Sequence, residues 1–281
     1  MTRLAPRFFR RLSRSQVAAR AEAKPAAGAL TGRIPALLVS VRNPLEARAA
    51  VAGGCDVLDI KEPARGPLGM ADREMMEQIA DSAAACRGGA PLPVSAALGE
   101  LVEWLAPARA FAVPRGIDYV KLGSAGLDSP ARWSEAWHEV QSRIKPQAHG
   151  ILRWVAVAYA DWRAAGGLEP RRVLDAARSA DCDVLLIDTF DKASGSLRNL
   201  IDAAELRGLC DAAHDAGLKL ALAGGLRHAD VPALLAAGPD ILGVRGAACA
   251  GGRRSAPISA NAVRDLKREL LAAGDPANAG A

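Results

Sequence analysis

From about residue 35 onward the chain repeats one pattern eight times: a short apolar run of strand length, then a longer stretch with helical periodicity. That alternation marks a parallel sheet whose strands are joined by crossover helices. The runs fall at 36–41, 57–61, 93–98, 119–123, 153–159, 184–188, 219–223 and 241–245. Helices are predicted near 44–52, 72–87, 100–112, 130–144, 168–179, 199–216, 229–237 and 259–273. A finer repeat runs through this one. Asp56, Asp118, Asp183 and Asp240 each precede an apolar run and stand 62, 65 and 57 residues apart, about two βα units each time. They mark the even-numbered strands, and eight such units fit a single α/β (β/α)8 TIM barrel better than a doubly wound sheet. The barrel domain is placed at residues 35–275, behind an N-terminal extension at 1–34.

The net charge of +5 raises the question of a nucleic-acid partner. Residues 1–33 hold eight basic groups (Arg3, Arg7, Arg10, Arg11, Arg14, Arg20, Lys24 and Arg33) against one acid, Glu22. That segment carries +7, so the rest of the chain carries −2 and offers no general surface for a phosphate backbone. Rich in Arg, Ala and Ser, the extension reads as disordered or loosely ordered, with a transit peptide as the alternative. No apolar run reaches the roughly 18 residues of a membrane helix. Cys55, Cys86, Cys182, Cys210 and Cys249 are odd in number and contain no C-x-x-C pair, and the four histidines lack metal-motif spacing. Buried free thiols in a reducing cytoplasm, with no bound metal, are expected.

Charged residues at the ends of the apolar runs carry the chemistry. Asp59 and Lys61 close the second run, Lys121 sits in the fourth, and Asp188 ends the sixth with Lys192 in the loop beyond. Strand side chains alternate faces, so Asp59 and Lys61 point one way while Leu58 and Ile60 point the other. The carboxyl ends of barrel strands are where active sites form. Three lysines against two aspartates leave one positive charge uncompensated, which argues against a purely structural set of ion pairs around the mouth. Crowded, partly buried ammonium groups lose protons more readily, and a neutral amine can attack a carbonyl to form a Schiff base. Asp59 is placed to shuttle protons for it.

Glycine-bearing segments follow the last two strands: Gly224-Gly225, and Arg245-Gly246-Ala247. Loops in those positions offer backbone N–H groups to a substrate phosphate, with Arg245 adding charge. Simple turn geometry is the alternative for each pair alone. The loop Lys61-Glu62-Pro63-Ala64-Arg65-Gly66-Pro67-Leu68-Gly69 either supplies a further anion contact through Arg65 or is an ordinary βα connection.

The ordered segments Leu37-Leu38-Val39-Ser40, Asp59-Ile60-Lys61-x-Pro63, Gly66-x-Leu68-Gly69, Val94-Ser95-Ala96-Ala97-Leu98-Gly99, Tyr119-Val120-Lys121-Leu122-Gly123, Leu186-Ile187-Asp188-Thr189, Ala221-Leu222-Ala223-Gly224 and Gly243-Val244-Arg245-Gly246-Ala247-Ala248-Cys249 resemble the (5-formylfuran-3-yl)methyl phosphate synthase family of methanofuran biosynthesis. The resemblance covers about residues 36–272. It implies a Schiff base on Lys61, with Asp59, Lys121, Asp188 and Lys192 as acid, base and electrostatic groups. It also implies condensation of two glyceraldehyde 3-phosphates without a cofactor, in a one-carbon pathway. Glu62 and Pro67 depart from the asparagine and serine of archaeal members, and Thr189-Phe190-Asp191-Lys192 departs from Thr-Ala-Val-Lys. A homo-oligomer with a small-molecule triose phosphate substrate, and neither nucleic acid nor membrane, is expected. The alternatives are a class I aldolase, a triose-phosphate isomerase-like enzyme, or a non-catalytic binding scaffold.

Overall fold

The computed structural model describes residues 34–86, 92–106, 111–146 and 152–273. The expected basic extension lies outside the described residues up to residue 33. Eight parallel strands close into a barrel: β1 (Ala36–Val41), β2 (Val57–Ile60), β3 (Val94–Glu100), β5 (Tyr119–Gly123), β7 (Arg153–Tyr159), β8 (Val184–Asp188), β9 (Lys219–Leu222) and β10 (Ile241–Val244). Each pairs with the next in chain order, and β1 pairs with β10 to close the ring. The helices are α1 (Pro44–Gly53), α2 (Arg73–Cys86), α3 (Pro130–Arg143), α4 (Pro170–Ser179), α5 (Leu197–Leu200), α6 (Ala203–Asp215), α7 (Val231–Ala237) and α8 (Ala260–Ala273). No helix among the described residues is long and apolar enough to cross a membrane.

The two faces of the strands serve different ends. Val39, Leu58, Ile60, Leu98, Val120, Leu122, Leu185 and Ile187 join Ala47, Met76, Trp133 and Leu206 from the helices in one buried cluster. The alternate positions, among them Asp59, Lys121, Val155, Val157, Tyr159 and Asp188, therefore face the barrel interior.

The four repeated aspartates act at the opposite end of the barrel from the lysines. Asp56 accepts from the Leu37 N–H at 2.7 Å, Asp118 from Val94 at 2.9 Å, Asp183 from Trp154 at 3.0 Å and Asp240 from Leu220 at 2.9 Å. The second, fourth, sixth and eighth strands of the barrel (β2, β5, β8 and β10) thus each tie their start to the barrel strand before them. Repeating this contact at four of the eight strand pairs helps fix the register of the lower rim, on which the upper rim depends.

Two expectations are corrected. The helix predicted at 100–112 is a single 3-10 turn, Leu101–Trp104, followed by the short strand β4 (Phe111–Val113), which pairs outside the barrel with β6 (Ile144–Pro146). Trp104 is fully buried and donates through Nε1 to the Leu98 carbonyl at 2.8 Å, which folds the turn back onto its own strand. Pro107 then disfavours helical geometry in the residue before it. Arg143 from α3 takes the loose carbonyls of Trp104 and Ala106 at 2.6 and 2.9 Å. The helix predicted at 199–216 is split, because Asp202 caps a new start by accepting from the Glu205 N–H at 2.8 Å.

Candidate active site

Parallel pairing delivers the lysines to one rim. In β1 and β2, Ser40 pairs with Asp59, which pairs in turn with Ser95 of β3, so these three side chains stand side by side facing inward. Lys61 continues the ladder past β2, its N–H bonded to the Val41 carbonyl at 3.2 Å, and by alternation shares the face of Asp59. Lys121 and Asp188 reach the same interior from β5 and β8, and Lys192 returns to it from the following loop.

Two of the lysines are paired. Lys121 Nζ lies 2.6 Å from Asp59 Oδ1, a charge contact rather than an aligned hydrogen bond, and Ser40 Oγ donates to Asp59 Oδ2 at 2.8 Å. Lys192 Nζ lies 3.0 Å from Asp188 Oδ1 and 3.0 Å from Thr189 Oγ1, and also donates to the Thr189 carbonyl. The segment that departs from the family pattern still delivers Lys192, because Asp161 receives the N–H groups of Phe190 and Asp191 at 2.7 and 2.8 Å.

The third lysine has no such partner. Lys61 is 6% exposed, yet its amine makes no ion pair or hydrogen bond among the described residues. Burial pushes it down to about 8; Lys121 and Lys192 add to that, while Asp188 and Asp59 oppose it. Burial works against the Asp188 anion, but the charges of Lys192 and Lys61 and the Thr189 N–H overcome it and hold Asp188 at about 2. The result is a fixed anion beside an amine poised near neutrality.

Arg245 does not stand free for a phosphate. Its guanidinium is buried against Glu46 at 3.0 and 3.2 Å and donates to the Ser40 carbonyl at 2.9 Å, so it braces the residue that holds Asp59. The sequence carries no signal for this role of Glu46, since an acid in the first turn of a helix normally faces solvent. Arg65 is exposed and paired with Asp72 at 2.8 Å, away from any anion-binding role. The N–H groups of Gly224, Gly225, Gly246 and Ala247 have no acceptor among the described residues. Gly224 adopts φ +101, and a Cβ there would come within 2.7 Å of Thr189 Cγ2. Arg254, on the loop after β10, is half-buried, its guanidinium unpaired among the described residues and within electrostatic reach of Asp188 and Arg245. Nothing in the local sequence separates Arg254 from Arg253; in the loop closed by the Cys249–Ile258 bridge, Arg253 is exposed and Arg254 half-buried.

A model of the 4-HFC-P synthase family matches residues 37–267. The (5-formylfuran-3-yl)methyl phosphate synthase of Methanopyrus kandleri is 35% identical over 244 residues, covering 84% of this chain and 99% of the relative. The synthase of the same name from Methanocaldococcus jannaschii is 36% identical over 235 residues, covering 82% and 97%. Among solved structures, a thiamine phosphate pyrophosphorylase from Pyrococcus furiosus superposes with a TM-score of 0.54 at 15% identity, covering 87% of this chain and 99% of that one, a likeness of fold alone. With a barrel of this topology, a lysine–aspartate cluster on its rim and the family match over most of its length, the chain is an enzyme that belongs to the 4-HFC-P synthase family.

Proposed function

We propose that the enzyme condenses two molecules of glyceraldehyde 3-phosphate through a Schiff base on Lys61, yielding (5-formylfuran-3-yl)methyl phosphate for methanofuran-type cofactor biosynthesis. The observation that carries this reading is the Lys61 amine, buried and unpaired between two lysine–aspartate pairs. A primary amine near neutrality forms an imine, and the imine draws electrons from the neighbouring carbon so that it becomes an enamine nucleophile. Its carbon adds to the aldehyde of the second triose. Loss of one phosphate and two waters, with ring closure, balances six carbons and one phosphorus in the furan. Asp188, held at about 2, stays charged beside the cationic imine and stabilises it, Asp59 lies against Lys121 on the same rim, and Lys121 and Lys192 are within that rim to move protons. The unpaired amides at Gly224, Gly225, Gly246 and Ala247, and the half-buried Arg254 on the loop after β10, supply donors for substrate phosphate.

Incubation with glyceraldehyde 3-phosphate tests the reading. A furan aldehyde absorbance with release of inorganic phosphate is expected, together with a borohydride-reduced adduct on Lys61. An acyclic sugar phosphate as the product would favour an aldolase instead, and saturable binding with neither product nor adduct would favour a scaffold.

A further inference from the structure

One buried acid on the same rim has no part in the chemistry above. Glu100 ends β3 where the pairing with β5 slips: Ala97 pairs with Lys121, but Glu100, three residues on, pairs with Gly123, only two residues on. The additional residue is accommodated at Gly99, in the left-handed region at φ +84. Plain alternation from Ala97 would turn Glu100 outward. The bulge turns it to the interior instead, as bulges beside active sites do.

The carboxyl then crosses β5 at a place only glycine permits. A Cβ on Gly123 would lie 1.9 Å from Glu100 Oε2. Beyond it, Oε2 accepts from the Ala125 N–H at 3.0 Å, and Oε1 accepts from the hydroxyl of Tyr159. Tyr159 ends β7, is wholly buried, and is the register partner of Asp188 on β8. The charged groups facing Glu100 are Glu103 from the following turn and Asp188 from β8, and both disfavour its anion. Each carboxyl oxygen accepts one hydrogen bond and keeps a lone pair for a proton. Burial pushes the Glu100 carboxyl up, and the Tyr159 hydroxyl and Ala125 N–H only partly offset it.

We propose that Glu100 is the proton donor to a departing hydroxyl of the condensed six-carbon intermediate, with Tyr159 as the positioning residue that holds its carboxyl across Gly123. This rests on the Schiff-base reading given above. Each dehydration breaks a C–O bond and a neighbouring C–H bond and forms a C=C bond. The C–O electron pair leaves on oxygen, and the Glu100 proton completes a molecule of water. The proton from carbon passes to the lysine–aspartate cluster, which returns it to the Glu100 carboxylate. No net proton, oxidant or cofactor is consumed.

Glu100→Gln and Tyr159→Phe keep the volume of each side chain and test the two roles separately. With glyceraldehyde 3-phosphate and borohydride, Glu100→Gln should give the Lys61 adduct at the wild-type rate. Furan formation should fall about a hundredfold or more, the scale of a lost general acid, with a phosphorylated intermediate still carrying its hydroxyl accumulating. In Tyr159→Phe the bend in log kcat against pH that belongs to Glu100 should move to higher pH, because a bond favouring its anion is gone. In log kcat/KM, which reports the free enzyme, the bend near pH 8 that belongs to Lys61 should stay. Wild-type furan formation by Glu100→Gln overturns the proposal alone, and so does equal loss of adduct and furan, which would make Glu100 structural. A slower Tyr159→Phe with an unmoved bend overturns the positioning role. A wild-type protein that forms no Lys61 adduct overturns the Schiff-base reading and this proposal with it.

Discussion

Lys121 Nζ sits 2.6 Å from Asp59 Oδ1, and that contact leaves Lys61, two residues beyond Asp59 and just past the end of β2, without a carboxylate of its own. The charges around Lys61 then act in opposite senses. Lys121 lowers its proton affinity and Asp188 raises it. Lys121→Met should move the pH at which the Lys61 adduct forms at half its maximal rate upward by roughly one pH unit, and Asp188→Asn should move it downward by a similar amount. The pH dependence of borohydride trapping measures both. Shifts in the same direction would mean that Lys61 is not governed by these two charges.

Lys61 burdens the fold that carries it. Its amine is held at about 8 in the folded protein against 10.5 when free, so below pH 8 a buried proton disfavours the native state. At about 1.4 kcal/mol per pH unit, that gap amounts to something on the order of 3 kcal/mol. Between pH 8 and 10.5 the unfolded chain keeps the proton and the folded one does not, so this contribution to stability improves as pH rises. Lys61→Met should therefore unfold at higher urea than the wild type at pH 7, with the difference closing by pH 10.5, while forming no furan. Equal midpoints at pH 7 would contradict the burial of the charge.

Glu46 and Arg245 join the first helix to the end of the last strand across the seam where β1 meets β10. Both are buried, and Arg42 also contacts Glu46 at 2.7 Å. Glu46→Gln would leave the Arg245 guanidinium buried without a counter-charge, a loss of about 3 kcal/mol or more. Glu46→Gln combined with Arg245→Met should recover a large part of it. Urea denaturation of the two variants decides, and a double variant as unstable as the single one would show that the pair matters for packing rather than charge.

Arg254→Met should raise KM for glyceraldehyde 3-phosphate by roughly tenfold to a hundredfold, the worth of one charge-assisted bond, with kcat much less affected. Inhibition by inorganic phosphate should weaken in parallel. Phosphate inhibition identical to the wild type would remove Arg254 from the binding site.

The rim cluster was legible in the chain because a charge inside a strand pattern is conspicuous. Asp59, Lys61, Lys121 and Asp188 interrupt or end apolar runs, and strand periodicity assigns Asp59 and Lys61 to one face. Glu100 gave no such signal, since strict alternation aims it outward and only the slip at Gly99 reverses it. Arg245 was legible as a charge near a glycine turn but not as the partner of Glu46, because the two stand 199 residues apart. The helix expected after β3 failed for a related reason: burying Trp104 outweighed the local helical pattern.

What the sequence determined by itself is therefore periodic and local: eight strand-helix units, the aspartates that begin alternate strands, and the face on which each lysine emerges. Those follow from side-chain alternation and apolar spacing, which every short segment carries within itself, whereas the return of Lys192 from its loop to the rim does not. Which amine is left unpaired, which arginine is spent on a buried acid and which carboxyl is turned inward were decided only when the barrel closed. Pairing and burial of charge depend on distances between strands that are remote in the chain, and no local pattern encodes them.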